Sequence, residues 1–258
     1  MQSTVRAVSD SFAPVAARTN GHVDHAPRDD APGSRMTYSR VIGALFLAGF
    51  VVYMVGSVLV SSVTGTPDFL STISAHQTTV VLGAFLMFLN TAVDVGKAVL
   101  FFPILEKHGK RTALAYLATM LVEVVLLDVG VLALLMIVPL GQQAADAGQA
   151  NATWAQPLGA LAVQTNTMAY QIAEVSLGFG CLFLCSLLFR TRLIPRFLAV
   201  VGFVGYVSLM AGAIAELFGL HIGLTLSVPG MFFELGLPIW LFVKGFDPQA
   251  YGARAGSQ

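Results

Sequence analysis

Charge is scarce in this chain: only 11% of its residues are Asp, Glu, Lys or Arg, where ordinary soluble domains carry about 25%. With 56% hydrophobic residues and a mean hydropathy of +0.76, the sequence reads as an integral membrane protein whose main partner is the lipid bilayer. Fourteen basic and fourteen acidic residues cancel, so nucleic acid finds no basic field and is not expected as a partner. Cysteine is nearly absent. Cys181 and Cys185 lie one helical turn apart in an apolar run, which excludes a disulfide framework and thiolate metal chemistry and leaves a packing role. The five histidines, His22, His25, His76, His108 and His221, fall at the N-terminus or at loop depth, so no paired-histidine haem site exists inside the apolar runs. HExxH, GxSxG, Walker and Rossmann patterns are missing. No catalytic residue, metal ligand or cofactor is therefore expected. A signal peptide is not expected either, since the first apolar run begins only at Val41.

Residues 1–34 are rich in Ala, Ser, Pro, Asp and Arg and lack periodicity, which predicts a disordered cytoplasmic tail. His22 and His25 beside Asp24 read there as a solvated charge cluster. Six apolar runs follow, at Val41 to Ser61, Val80 to Phe101, Thr112 to Val138, Thr167 to Phe189, Phe197 to Leu217 and Leu224 to Val243. The expected fold is all-α: a polytopic membrane protein of six transmembrane helices over residues 35–246, with a short cytoplasmic C-terminal tail over 247–258. Lys and Arg cluster before the first run, between the second and third, between the fourth and fifth, and after the sixth. The other three connections contain none, so thirteen of the fourteen basic residues fall on one side. The positive-inside rule makes that side cytoplasmic and predicts a multi-pass protein of the cell membrane with both termini inside. Within the long outer connection, Pro139 to Asn166, the last part, LGALAVQTNT, reads either as an extension of the fourth helix beyond the lipid or as a segment lying along the surface. Asn151-Ala152-Thr153 matches a glycosylation acceptor that is common by chance.

Six of the fourteen carboxylates nevertheless fall inside or at the rim of the runs: Asp94, Glu123, Asp128, Glu174, Glu216 and Glu234, with Lys97 the one base among them. A charge at a helix centre costs about 2.5 to 3.5 kcal/mol on insertion scales, so these groups should face the bundle interior. Asn90, Asp94 and Lys97 share one helical face, which suits an ion pair. Tyr116, Thr119, Glu123 and Gly130 share another, whereas Asp128 points about 140° away from Glu123 and needs a different partner. Glu174 belongs to a stripe with Gly178, Cys181 and Cys185, and the fifth run carries Gly202, Gly205 and Gly212 on one face, a pattern that lets helices approach closely. Glu234 lies near the middle of its run. Pro238, four residues on, leaves the Glu234 carbonyl without its helical donor, and a bend is expected there. Asp68, His76 and His221 read as ordinary loop residues.

Several ordered motifs resemble a bacterial six-span family known as domain of unknown function 4386. They are LFFPILEKHGK at Leu100 to Lys110, YLATMLVEVVLLDVG at Tyr116 to Gly130, LLFRTRLIPRFLAVVG at Leu187 to Gly202, and Glu234 followed by WLFVKGF. The resemblance covers about Val41 to Phe246 and implies the six-span fold but no activity or substrate. It also implies an arginine one turn before the acid at Glu123, where this chain has Met120. Three functions remain open. The first is a proton- or cation-coupled transporter of a small molecule, with Glu234 and Glu123 central and Asp94, Lys97, Asp128 and Glu174 as further relay or ligand-binding candidates. The second is a scaffold or accessory subunit whose acids are structural. The third is a membrane-embedded enzyme.

Overall fold

The structure, a computed structural model, describes residues 32–66, 68–148 and 152–252. The expected tail up to residue 31, with His22, Asp24 and His25, lies outside the described residues, as do the acceptor Asn151 and residues 253–258. Every element is helical: α1 (Pro32–Thr64), α2 (Phe69–Leu135), α3 (Ile137–Ala147), α4 (Ala155–Thr191), α5 (Arg196–Leu217), α6 (Gly223–Val243) and α7 (Pro248–Gly252). The large apolar side chains that remain exposed, such as Val58, Phe85, Val125, Leu132, Phe197 and Phe232, point outward along these helices. Outward-facing apolar side chains together with backbone groups satisfied within helices are what a bilayer demands.

Among the described residues, five helices are long and apolar enough to cross a membrane, and α2 supplies two crossings. Gly109, at φ 179° and ψ 89°, interrupts its helical backbone. The chain reverses there, because Phe101 meets Tyr116 at a ring-centroid distance of 6.3 Å, Gln142 donates to Gln77 at 3.2 Å, and a Cβ at Gly141 would strike Ile73. These pairs are centred on Gly109 and define an antiparallel hairpin with an outgoing leg, 69–108, and a returning leg, 110–135. The chain is thus a six-crossing helical membrane protein. The two legs of α2, with α1, α4, α5 and α6, form a closed ring: α1 packs on α2, α2 on α4, α4 on α5, α5 on α6, and α6 returns to α1.

Small residues set the seams of this ring. A Cβ on Gly56 would come within 2.7 Å of the Gly83 carbonyl, and one on Gly205 within 2.7 Å of Gly230 Cα, so α1 with α2 and α5 with α6 touch backbone to backbone. Helix α6 continues through Pro229 and Pro238 without interruption. At its start, Glu216 Oε1 accepts the Gly223 N–H at 2.9 Å and His221 Nδ1 lies 3.3 Å from Glu216 Oε2, so this rim acid serves as a cap.

Apolar packing falls into two clusters. One, built around Ile42, Phe101, Leu184, Leu198, Phe233, Leu237 and Phe246, lies toward the end that carries the basic residues. The other, around Val60, Phe69, Ile73, Val80, Leu134 and Ile137, lies toward the opposite end. At the basic end the Arg35 guanidinium donates to the Phe246 carbonyl, the Phe246 N–H to Ser39 Oγ at 3.2 Å, and the Asp247 N–H to the Leu193 carbonyl at 2.9 Å. Lys107 Nζ stands 5.4 Å from the centre of the Tyr251 ring on α7. The start of α1, the Gly109 turn, the α4–α5 loop and the C-terminal segment therefore meet on one face, which gathers the described Lys and Arg residues other than Lys97. Residues 139–166, read in sequence as one long connection, hold all but the first two residues of α3 and the first twelve residues of α4, so helices continue well past the apolar runs.

Candidate functional site

Between the two apolar clusters lies a cavity of about 340 Å³ to which all six crossing segments contribute. Its wall carries four carboxylates, Asp94, Glu123, Glu174 and Glu234, with Lys97 and four tyrosines, Tyr53, Tyr116, Tyr170 and Tyr206. Lining residues continue along α6 from Glu234 through Ser227 to Leu224, at the helix's first turn, so the cavity reaches toward the end without basic residues. Toward the basic end, Phe101, Phe233, Leu237 and Phe246 are buried with 0% exposure and close it.

The polar groups fall into separate sets. On the outgoing leg, Asp94 pairs with Lys97 across one turn, and Asn90 Nδ2 donates to Asp94 Oδ2 at 2.7 Å. Lys97 Nζ also sits 4.6 Å from the centre of the Phe46 ring, a cation against an aromatic face. Gly49 makes room for this cluster, since a Cβ there would come within 2.9 Å of Asn90 Oδ1. The sequence spacing of Asn90, Asp94 and Lys97 anticipates the contact, because residues three and four apart on a helix are neighbours.

On α5 and α6, the Tyr206 hydroxyl donates to Glu234 Oε1, and the Tyr206 ring meets Phe233 edge-on at 5.7 Å. On α4, Glu174 lies one turn after Tyr170, and Tyr170 stacks on Tyr53 of α1 at 5.7 Å. Glu123, on the returning leg, differs. It is 5% exposed, and its Oε2 finds no hydrogen-bond partner among the described residues.

Five of the six candidate residues named from sequence, Glu234, Glu123, Asp94, Lys97 and Glu174, thus converge on one cavity. Asp128 does not line it. It turns toward Thr91 of the outgoing leg, as its angular offset from Glu123 requires. Tyr53, Tyr170 and Tyr206 escaped the sequence reading. Tyr170 precedes Glu174 by four residues, a signal at hand, whereas Tyr53 and Tyr206 reach their partners only through the ring of helices. Away from the cavity, His76 Nδ1 lies 3.1 Å from the Thr72 carbonyl and His221 faces Glu216. Among the described residues, no three His, Cys, Asp or Glu side chains are arranged to hold a metal ion.

The chain belongs to the family described as Domain of unknown function (DUF4386), which matches residues 41–245. No curated protein matches it, and no solved structure does. The family description names no activity.

Proposed function

We propose that this protein is a small-molecule transporter of the cell membrane, coupled to protons or another cation through its intramembrane carboxylates. One observation carries the reading: every crossing segment of a closed helical ring contributes to a single cavity that brings four carboxylates together within the apolar depth of the bundle. Ionisable groups at such depth are costly, and in membrane proteins they mark ligand and ion pathways when they face a shared cavity. The cavity is of the size of small-molecule sites, about 300 to 1,000 Å³. Closure toward the basic end and continuation toward the other end suit one side of an alternating-access cycle. The gathering of Lys and Arg at one end, together with the basic residues of both terminal segments, supports cytoplasmic termini, so the cavity in this state faces outward.

A scaffold with structural acids is the second reading. The mutual satisfaction of Asn90, Asp94 and Lys97 favours it for that cluster alone. Purified protein in liposomes with a trapped pH-sensitive dye separates the two. A transporter gives a solute-dependent pH change that Glu234→Gln and Glu123→Gln abolish with the fold intact. A scaffold gives no such signal in any variant and loses stability when its acids are replaced.

A further inference from the structure

The geometry points to a small organic ammonium ion as the ligand of this cavity, held by Glu123 as counter-ion and by the aromatic wall around its apolar body. The assignment rests on the reading of the cavity as a ligand site and adds the chemical class that would fill it.

The first ground is the partnering of the acids. Asp94 is engaged by Lys97 and Asn90 and Glu234 by Tyr206, while Glu174, less buried than Glu123, stands beside Tyr170 one turn earlier on its helix. Glu123 lines the same cavity, is 5% exposed, and has an Oε2 with no hydrogen-bond partner among the described residues. A buried acceptor without a donor is unfavourable, and a ligand that brings an N–H donor removes that cost as it binds.

The second ground is charge. Four carboxylates face one lysine in the cavity wall, and that lysine is already paired. An anionic ligand would meet repulsion there, and a neutral one would leave Glu123 without a counter-ion.

The third ground is the wall itself. Phe46, Phe50, Tyr53, Tyr116, Tyr170 and Tyr206 line the cavity, and the face of Phe46 already holds a cation in the form of Lys97. Aromatic faces attract ammonium groups and cover the apolar part of an amine. A hard metal cation has a different need, six or more converging oxygens for calcium, whereas no metal-holding group of acids occurs among the described residues. A proton alone would not use a cavity of about 340 Å³.

The test is equilibrium binding to the full chain in lipid nanodiscs, which does not depend on transport. Phenethylamine and cyclohexylamine are compared with the matching alcohols and carboxylates on the wild type, Glu123→Gln and Glu123→Asp. The amines should bind and their alcohols and acids should bind about tenfold or more weaker, with Glu123→Gln losing the preference and Glu123→Asp keeping part of it. Amines that bind no better than the alcohols, or a Glu123→Gln protein that keeps the preference, would overturn the assignment. The wild-type comparison decides even if a variant fails to fold. Amine binding without uptake in liposomes would leave the ligand assignment standing and reject transport, and uptake of a neutral or anionic solute without amine binding would do the reverse.

Discussion

Asp94 and Glu123 sit on the two legs of one hairpin, line one cavity and are almost equally buried, at 4% and 5% exposure. Their surroundings differ. Both oxygens of Asp94 have partners within a turn of their own helix, and the adjacent Gly49 lets α1 lie close against them. Glu123 faces the cavity with one oxygen unanswered among the described residues. A satisfied buried ion pair closes a structure, since its partners are already chosen. An unsatisfied buried acid keeps a place for something else. Burial alone therefore does not separate a structural carboxylate from a functional one, but its partners do.

Breaking the satisfied side should have the largest effect. Lys97→Met leaves Asp94 buried and unpaired, and the expected loss is about 3 to 5 kcal/mol in denaturation of the reconstituted protein. Adding Asp94→Asn should recover much of it, so the double-mutant cycle should show a coupling of at least about 1 kcal/mol. Additive losses would mean that the pair does not act as a unit. On the open side the sign changes. Glu123→Gln should keep stability or raise it by about 1 kcal/mol, because it removes a buried carboxyl group whose Oε2 has no donor among the described residues.

Asp128 provides an intermediate case. It is half-buried, outside the cavity, with Oδ1 unpartnered among the described residues and Thr91 nearby, so Asp128→Asn should change stability by less than about 1 kcal/mol and leave solute-driven proton movement intact. The smallest effect belongs to a half-buried group beyond the crossings, His108 at the basic end. Burial lowers its pKa below the ordinary 6.5, with the Ala250 backbone opposing and Lys107 adding to the shift. As pH falls below 6.5 the unfolded chain takes up a proton that the folded chain refuses, so this group makes stability fall with falling pH until the lower folded value is reached. Denaturation between pH 5 and 7 should show a shallower slope in His108→Gln, with little change at pH 8. An unchanged slope would exclude His108 as its source.

Much of this arrangement is legible in the sequence because it is local. The apolar runs mark the crossings, the positions of Lys and Arg mark the face on which four connections meet, and three- and four-residue spacing pairs Asn90, Asp94 and Lys97. The offset of Asp128 from Glu123 already separates the two acids. The contrast between Asp94 and Glu123 is not legible, because it depends on how the helices close into a ring. Glu234 finds Tyr206 across α5 and α6, and Tyr170 meets Tyr53 across α4 and α1, contacts that no spacing within one helix specifies. The continuation of the returning leg through α3 is hidden for another reason: Gln142, Gln143 and Asp146 lower the hydropathy without breaking the helix, so a reading by apolar runs ends too soon, whereas the early start of α4 is one of two readings the sequence offers. Residues 248–252, read as part of a tail, form α7, whose Tyr251 ring stacks on Phe246 at 6.2 Å.

Thermal unfolding of the wild type and Glu123→Gln side by side, each with and without phenethylamine, tests the central claim most directly. A ligand that binds only the folded state raises the melting temperature. The account predicts that the variant melts at or above the wild type without the amine, and that only the wild type shifts upward when the amine is added. A variant that melts well below the wild type, or one that shifts as far as the wild type does, would contradict the view that Glu123 is held open for a ligand.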